Sequence, residues 1–96
     1  MENKLQQSLG LAQRAGKCVS GEELIFQIEK RKIHLVLIAT NASERTKNDM
    51  MKKCERFNVP YIESLTKEDL SNAIGKFNRV AVGITDVGFS KLLKSY

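Results

Sequence analysis

The chain is 96 residues long, enough for one hydrophobic core, and its 42% hydrophobic and 28% charged residues exclude a disordered segment. The longest apolar run, around Ile33 to Ala39, is too short to span a bilayer. Sixteen Lys and Arg against 11 Asp and Glu give a net charge of +5, which points to a polyanion, nucleic acid first, although a protein that is merely basic fits the charge equally well.

Leu5, Leu9 and Ala12 recur at helical spacing and predict a helix over residues 2–14, ended by Gly16 just beyond Arg14. Lys17 to Val19 suits a short strand. In Ser20-Gly21-Glu22-Glu23, Ser20 stands as N-cap of a second helix, with Glu23 as its capping-box partner three residues on. Leu24, Ile25 and Ile28 line that helix, and Lys30-Arg31-Lys32 put cations at the negative end of its dipole. Ile33 to Ala39 is nearly continuous and rich in branched residues, the pattern of a strand buried on both faces. Ser43 caps a third helix with Met50, Cys54 and Phe57 on its inner face. Val59-Pro60-Tyr61-Ile62 is a short strand with Pro60 at its start or on a sheet edge. Thr66-Lys67-Glu68-Asp69 reads as another capping box, leading into Leu70, Ala73 and Ile74 and stopped by Gly75. Val80 to Thr85 is a buried strand, and Phe89, Leu92, Leu93 and Tyr96 sit at helical spacing on a last helix. This alternation builds a mostly parallel sheet covered by helices on both faces, with the short first strand free to pair antiparallel. The fold class is α/β: a three-layer α/β/α sandwich with a mixed four-stranded sheet in a single domain over residues 1–96.

Catalytic chemistry is hard to find. The single histidine, His34, lies inside or at the entrance of the central strand, where a structural role is the commoner one. Cys18 and Cys54 are too far apart, with one histidine, for the usual zinc patterns. Cys54 falls on an apolar helix face. Cys18 precedes a helix N-terminus, which can lower a thiol pKa, so an unusually reactive Cys18 is the one feature that would revive an enzyme. Glu22 and Glu23 point about 100° apart on a helix and make a poor carboxylate pair. Gly16 and Gly21 fit no phosphate-binding glycine pattern. The expectation is a non-enzyme with no cofactor and no metal. The N-terminus lacks the apolar core of a signal peptide, so the expected location is cytoplasmic, with reduced thiols.

Three segments suit an RNA surface. The start of the Ser20 helix offers free backbone N–H groups and positive dipole, with Arg14 and Lys17 upstream. Residues 40–48 offer Asn41, Ser43, Arg45 and Lys47; the cap explains Ser43, but cations are disfavoured at a helix N-terminus unless something negative meets them. Gly75-Lys76-Phe77-Asn78-Arg79 places an aromatic between cations in a turn, which suits base stacking with phosphates alongside, unless Phe77 packs on the nearest helix. The direction of the last strand decides whether this third segment joins the other two. Lys52, Lys53 and Arg56 face away from Met50 and Cys54 and read equally as a solvated helix face.

Over nearly its whole length the chain resembles the kink-turn-binding ribosomal proteins of the L-seven-Ae and L-thirty-e type, most closely small bacterial members. The resemblance is carried by residues 16–23, by His34 to Ala39 followed by Asn41, by Asn58-Val59-Pro60-Tyr61, and by Leu70 to Val80. It implies an α/β/α sandwich that binds sharply bent RNA. The start of the second helix then enters the groove at tandem sheared G·A pairs, and a later loop shelters a flipped-out base. The family motif is Gly-x-Asn/Lys-Glu/Gln-x-x-Lys. Aligned without gaps, Ser20, Glu22, Glu23 and Phe26 take its marked positions, and only Glu23 matches; a one-residue slip restores Gly21. The expected RNA-binding residues are Lys17, Ser20, Glu23, Asn41, Lys47, Lys76, Phe77 and Arg79. Lys17, Lys47, Lys76 and Arg79 would meet phosphates, Glu23 a guanine edge and Phe77 a base. Four to six phosphate contacts would give a salt slope of roughly −3.5 to −5.5. The expected partner is ribosomal or other structured RNA, with ribosomal proteins as further candidates and a monomer as the expected state. The rival reading is a protein-interaction module on the same fold, with kink-turn binding lost and an exposed Phe26 as anchor.

Overall fold

The computed structural model describes residues 4–96. The elements follow as α1 (Lys4–Arg14), β1 (Cys18–Ser20), α2 (Glu22–Glu29), β2 (Leu35–Ile38), α3 (Glu44–Arg56), β3 (Tyr61–Glu63), α4 (Lys67–Ile74), β4 (Ala81–Ile84) and α5 (Val87–Lys94). Each expected element is present; Glu2 and Asn3 of the predicted first helix lie outside the described residues.

The sheet has four strands in the order β1-β4-β2-β3. The sheet is mixed, as expected, but only β2 and β3 are parallel: β4 runs antiparallel to β2 as well as to β1, so the parallel pairing is the smaller part. The reason lies in α4. Its first turn and residues 76–78 line one cleft, so the chain leaves the helix near the end at which it entered. The chain therefore enters β4 from the end at which it left β3.

The alternation along β2 divides the core. Leu35 and Leu37 pack with Leu5, Leu9, Leu70, Ile74 and Leu93 beneath α1, α4 and α5. Val36 and Ile38 pack with Leu24, Ile28 and Cys54 beneath α2 and α3. His34 precedes β2 and is exposed; its N–H donates to Ile84 O and its carbonyl accepts from Ser90 Oγ. Pro60 sits just before the edge strand β3, where its missing N–H costs no ladder bond.

Four helices end alike. The N–H groups of Gly16, Arg31, Asn58 and Gly75 bond back to Gln13, Ile28, Glu55 and Asn72, while the next residue's N–H reaches one carbonyl further back. All four adopt left-handed backbone, with φ of 73°, 60°, 56° and 67°. Glycine or asparagine fills three of these positions cheaply; Arg31 is the exception.

Candidate nucleic-acid interface

The antiparallel course of β4 brings the three candidate segments together. Ser20 pairs with Val82 and Ile38 with Ala81, so the ends of β1 and β2 lie beside the start of β4. Residues 20–22, 40–43 and 75–80 consequently share one end of the sheet. The end of β3 joins them, because Thr40 N–H donates to Leu65 O.

Phe77 is 88% exposed, which excludes packing on a neighbouring helix. It stands on a turn fixed at both ends. Gly75 caps α4 with a left-handed backbone, Asn78 also has a positive φ of 53°, and the buried Ser71 accepts the Arg79 N–H at 2.9 Å. Lys76, Phe77 and Asn78 face Lys67 and Glu68 across a cleft of about 220 Å³. A second cleft, about 170 Å³, lies between Gly21 and Ile25 of the α2 start, Met50 of α3, and residues 78–81.

Asn78 lines both clefts, and Arg79 lines the second. Its guanidinium lies against the start of α2, where Nη1 would stand 3.5 Å from a Cβ at position 21. Its Nε is buried without a hydrogen-bond partner among the described residues. Gly21 is the N-cap of α2, with φ 68° and ψ −145°, a conformation open to glycine almost alone. No side chain caps this helix, so its first N–H groups face outward beside Glu22 and Glu23. Two carboxylates there offset the dipole's pull on a phosphate. They suit the amino and imino N–H groups of a base edge instead.

The expected capping box of Ser20 and Glu23 does not form. Ser20 is drawn into β1 by its pairing with Val82, which moves the cap to Gly21. Glu23 accepts a hydrogen bond from Gln27 Nε2 at 2.7 Å on an exposed helix face. Lys17 lies at the other end of β1, where its carbonyl accepts from the N–H and Oγ1 of Thr85. Asn41 is at the loop end, but both ends of its amide are engaged: Nδ2 donates to Glu68 Oε1 and Oδ1 accepts the Lys67 N–H, tying the β2–α3 loop to the start of α4. Lys47 is only 13% exposed and pairs with Glu63 at 3.3 Å and Glu44 at 4.0 Å. The negative partner required by a cation near a helix N-terminus is thus supplied within the protein. Ser43 caps α3 as expected, accepting from Thr46 N–H. Of the eight expected residues, Ser20, Glu23, Asn41, Lys47, Lys76, Phe77 and Arg79 lie at the loop end; Lys76 and Phe77 stand exposed on the turn, while Arg79 reaches the α2 start.

Sequence reasoning placed Asn78 in a candidate segment without singling it out and left out Met50; both line the clefts. Asn78 carried a signal, since asparagine tolerates the left-handed backbone it adopts. Met50 carried none beyond its place on an apolar face. Neither cysteine is activated: burial pushes the Cys18 thiol up to about 12 and the Cys54 thiol up to about 11, Glu55 adding to the latter. Among the described residues, no group of three His, Cys, Asp or Glu side chains is placed to hold a metal ion.

Residues 3–94 match the model of the ribosomal protein L7Ae/L30e/S12e/Gadd45 family. The chain belongs to this family. Within it, the chain is 42% identical over 88 residues to RNA-binding protein YlxQ of Bacillus subtilis, covering 91% of this chain and 88% of that one. It is 40% identical over 92 residues to RNA-binding protein YlxQ of Enterococcus faecium, covering 95% and 88%. Among solved structures, a Bacillus halodurans protein of unknown function superposes with a TM-score of 0.90 at 34% identity, over 98% of this chain and 96% of that one. A Giardia lamblia 15.5kD RNA binding protein shares the fold, with a TM-score of 0.78 at 18% identity over 99% and 86%. The L7Ae-family architecture expected from the resemblance is therefore the one present. No helix among the described residues is long and apolar enough to cross a membrane.

Proposed function

We propose that this L7Ae-family chain is a cytoplasmic, ribosome-associated RNA-binding protein that takes a kink-turn-like or looped RNA at its loop end. The observation that carries the reading is the convergence of an 88% exposed Phe77 with the uncapped start of α2 at one end of the sheet, joined by Arg79. A flipped-out base stacks on or shelters against Phe77, which no protein group covers. The first turn of α2 enters the groove, and Glu23 accepts from a guanine edge. Lys76 and Arg79 meet the phosphates on either side. Two YlxQ relatives described as RNA-binding support the polyanion class. Structured RNA is the partner, and the whole chain acts as one domain. Binding needs no catalytic group, and the raised thiols leave Cys18 no role as a nucleophile.

One observation favours a second reading, the protein-interaction module. Phe26, at the place of the motif lysine, is 52% exposed. It stands one turn along α2 from Glu22, within reach of a partner docking on that helix.

The test is a gel-shift titration with three RNAs: a kink-turn, the same RNA with its sheared G·A pairs changed to Watson–Crick pairs, and a plain duplex. The reading expects preference for the intact kink-turn. Equal binding to all three would remove kink-turn specificity and leave a general RNA binder. No binding to any would transfer the weight to the protein-interaction reading, which Phe26→Ala then tests by loss of the protein contact.

A further inference from the structure

The net charge of the chain does not sit where the loops converge. α2 and α3 both end at the opposite end of the sheet, linked there by Lys53 Nζ and Glu29 Oε2 at 2.8 Å. Six cations, Lys30, Arg31, Lys32, Lys52, Lys53 and Arg56, meet two carboxylates, Glu29 and Glu55. The surplus of four is most of the chain's net +5.

Three of these cations ring one aromatic. Arg31, Lys53 and Arg56 stand 5.8, 6.0 and 5.5 Å from the centroid of the half-buried Phe57. Lys30 stands 5.2 Å from the Phe26 ring. Among the described residues, Glu29–Lys53 is the one ion pair on this face, and Lys53 with Arg56 holds the Glu29 carboxyl below its usual range. Lys30, Arg31, Lys32 and Lys52 have no ion-pair partner among the described residues.

Helix dipoles favour cations here but do not account for Arg31. It occupies a left-handed position, φ 60°, that glycine fills at the ends of α1 and α4. Backbone strain selects against arginine there, and its guanidinium is nonetheless kept over Phe57.

We infer that this cationic end of α2 and α3 is a second RNA surface that holds the phosphate backbone of a duplex segment. It is separate from the loop end and rests on the RNA-binding reading. The Phe57 ring is half-buried and already engaged by three cations, so the surface suits phosphates rather than unstacked bases. A duplex presents that backbone with its bases paired. The longest extent of the molecule is 34 Å, so an arm running from a bend at the loop end reaches this face without a long excursion.

The test uses the full chain and the variant Arg31→Gly/Lys32→Gln/Arg56→Gln, which keeps the Glu29–Lys53 pair and relieves the strained backbone at position 31. The probes are a kink-turn with arms trimmed to the bend, the same RNA with one arm of roughly 16 base pairs, and that arm alone as a duplex. The variant should lose about tenfold or more in affinity for both long RNAs, with a salt slope shallower by roughly 2 to 3, and bind the short kink-turn as wild type does. Unchanged affinity and slope on the long RNAs would overturn the inference and leave the loop-end reading standing. Wild type binding the duplex but not the kink-turn would do the reverse. No RNA bound by wild type would overturn both. A second variant, Lys32→Glu/Lys52→Glu, alters only exposed side chains and must show the same loss if the first misfolds.

Discussion

Phe77 separates stability from binding more cleanly than any other residue. At 88% exposure it contributes almost nothing to the core, so Phe77→Ala should leave the thermal midpoint nearly unchanged, within about 0.5 kcal/mol. Removing a stacking platform should nevertheless weaken RNA binding by about 1 to 3 kcal/mol. Thermal melts and RNA titrations on one preparation decide the matter; a destabilised Phe77→Ala protein would mean that the ring packs on the fold. The cysteines give the opposite contrast. Burial raises Cys18 from an ordinary 9.0 to about 12, so the folded protein holds a proton that the unfolded chain releases earlier. That contribution to stability is intact below about pH 9 and is lost as pH climbs toward the folded value. Alkaline melts should show the loss in wild type and less of it in Cys18→Ala, and both thiols should resist alkylation until the chain is unfolded in urea.

Between elements, Gly83 of β4 leaves room for side chains of α2 and of the segment before β2. A Cβ there would run into Leu24 Cδ1 and stand 3.1 Å from Ile33 Cδ1, so α2 lies directly on β4. Gly83→Ala should cost about 1 to 3 kcal/mol in urea unfolding, because the helix must lift or two side chains must leave their rotamers. A neutral Gly83→Ala would show that α2 is loosely seated and would weaken the case that it presents a rigid edge to RNA. The elements themselves were legible in the sequence, because each carries its own period and its own stop: Leu5, Leu9 and Ala12 before Gly16, or the unbroken apolar run of β2. What was not legible depends on pairing at a distance. Ser20 looks like a cap until β4 draws it into the sheet. Lys17 looks adjacent to the α2 start until β1 carries the chain away from it. Lys47 looks free until Glu63, on a different strand, meets it at 3.3 Å. Nothing local in the sequence encodes these partners. The Phe77 turn was legible because its chemistry is contained in five consecutive residues.

At the scale of the whole molecule, charge is distributed unevenly, and this changes the salt dependence expected from the sequence. The loop end carries five cations, Arg45, Lys47, Lys67, Lys76 and Arg79, against six carboxylates, Glu22, Glu23, Glu44, Glu63, Glu68 and Asp69. Of the four cations expected to meet phosphates, Lys17 lies at the far end of β1 and Lys47 is already paired. Lys76 and Arg79 remain. For a bent RNA trimmed to the loop end, the slope of log K against log salt should therefore be about −1.4 to −1.8, not the −3.5 to −5.5 that four to six contacts would give. Titrations across roughly 50 to 200 mM monovalent salt resolve the difference. A shallow slope with good affinity means that the loop end reads its RNA through shape, stacking on Phe77 and base edges at α2. A slope near −4 on the same trimmed RNA would mean that Arg45 and Lys67 also meet phosphates, and that the loop end binds mainly by charge.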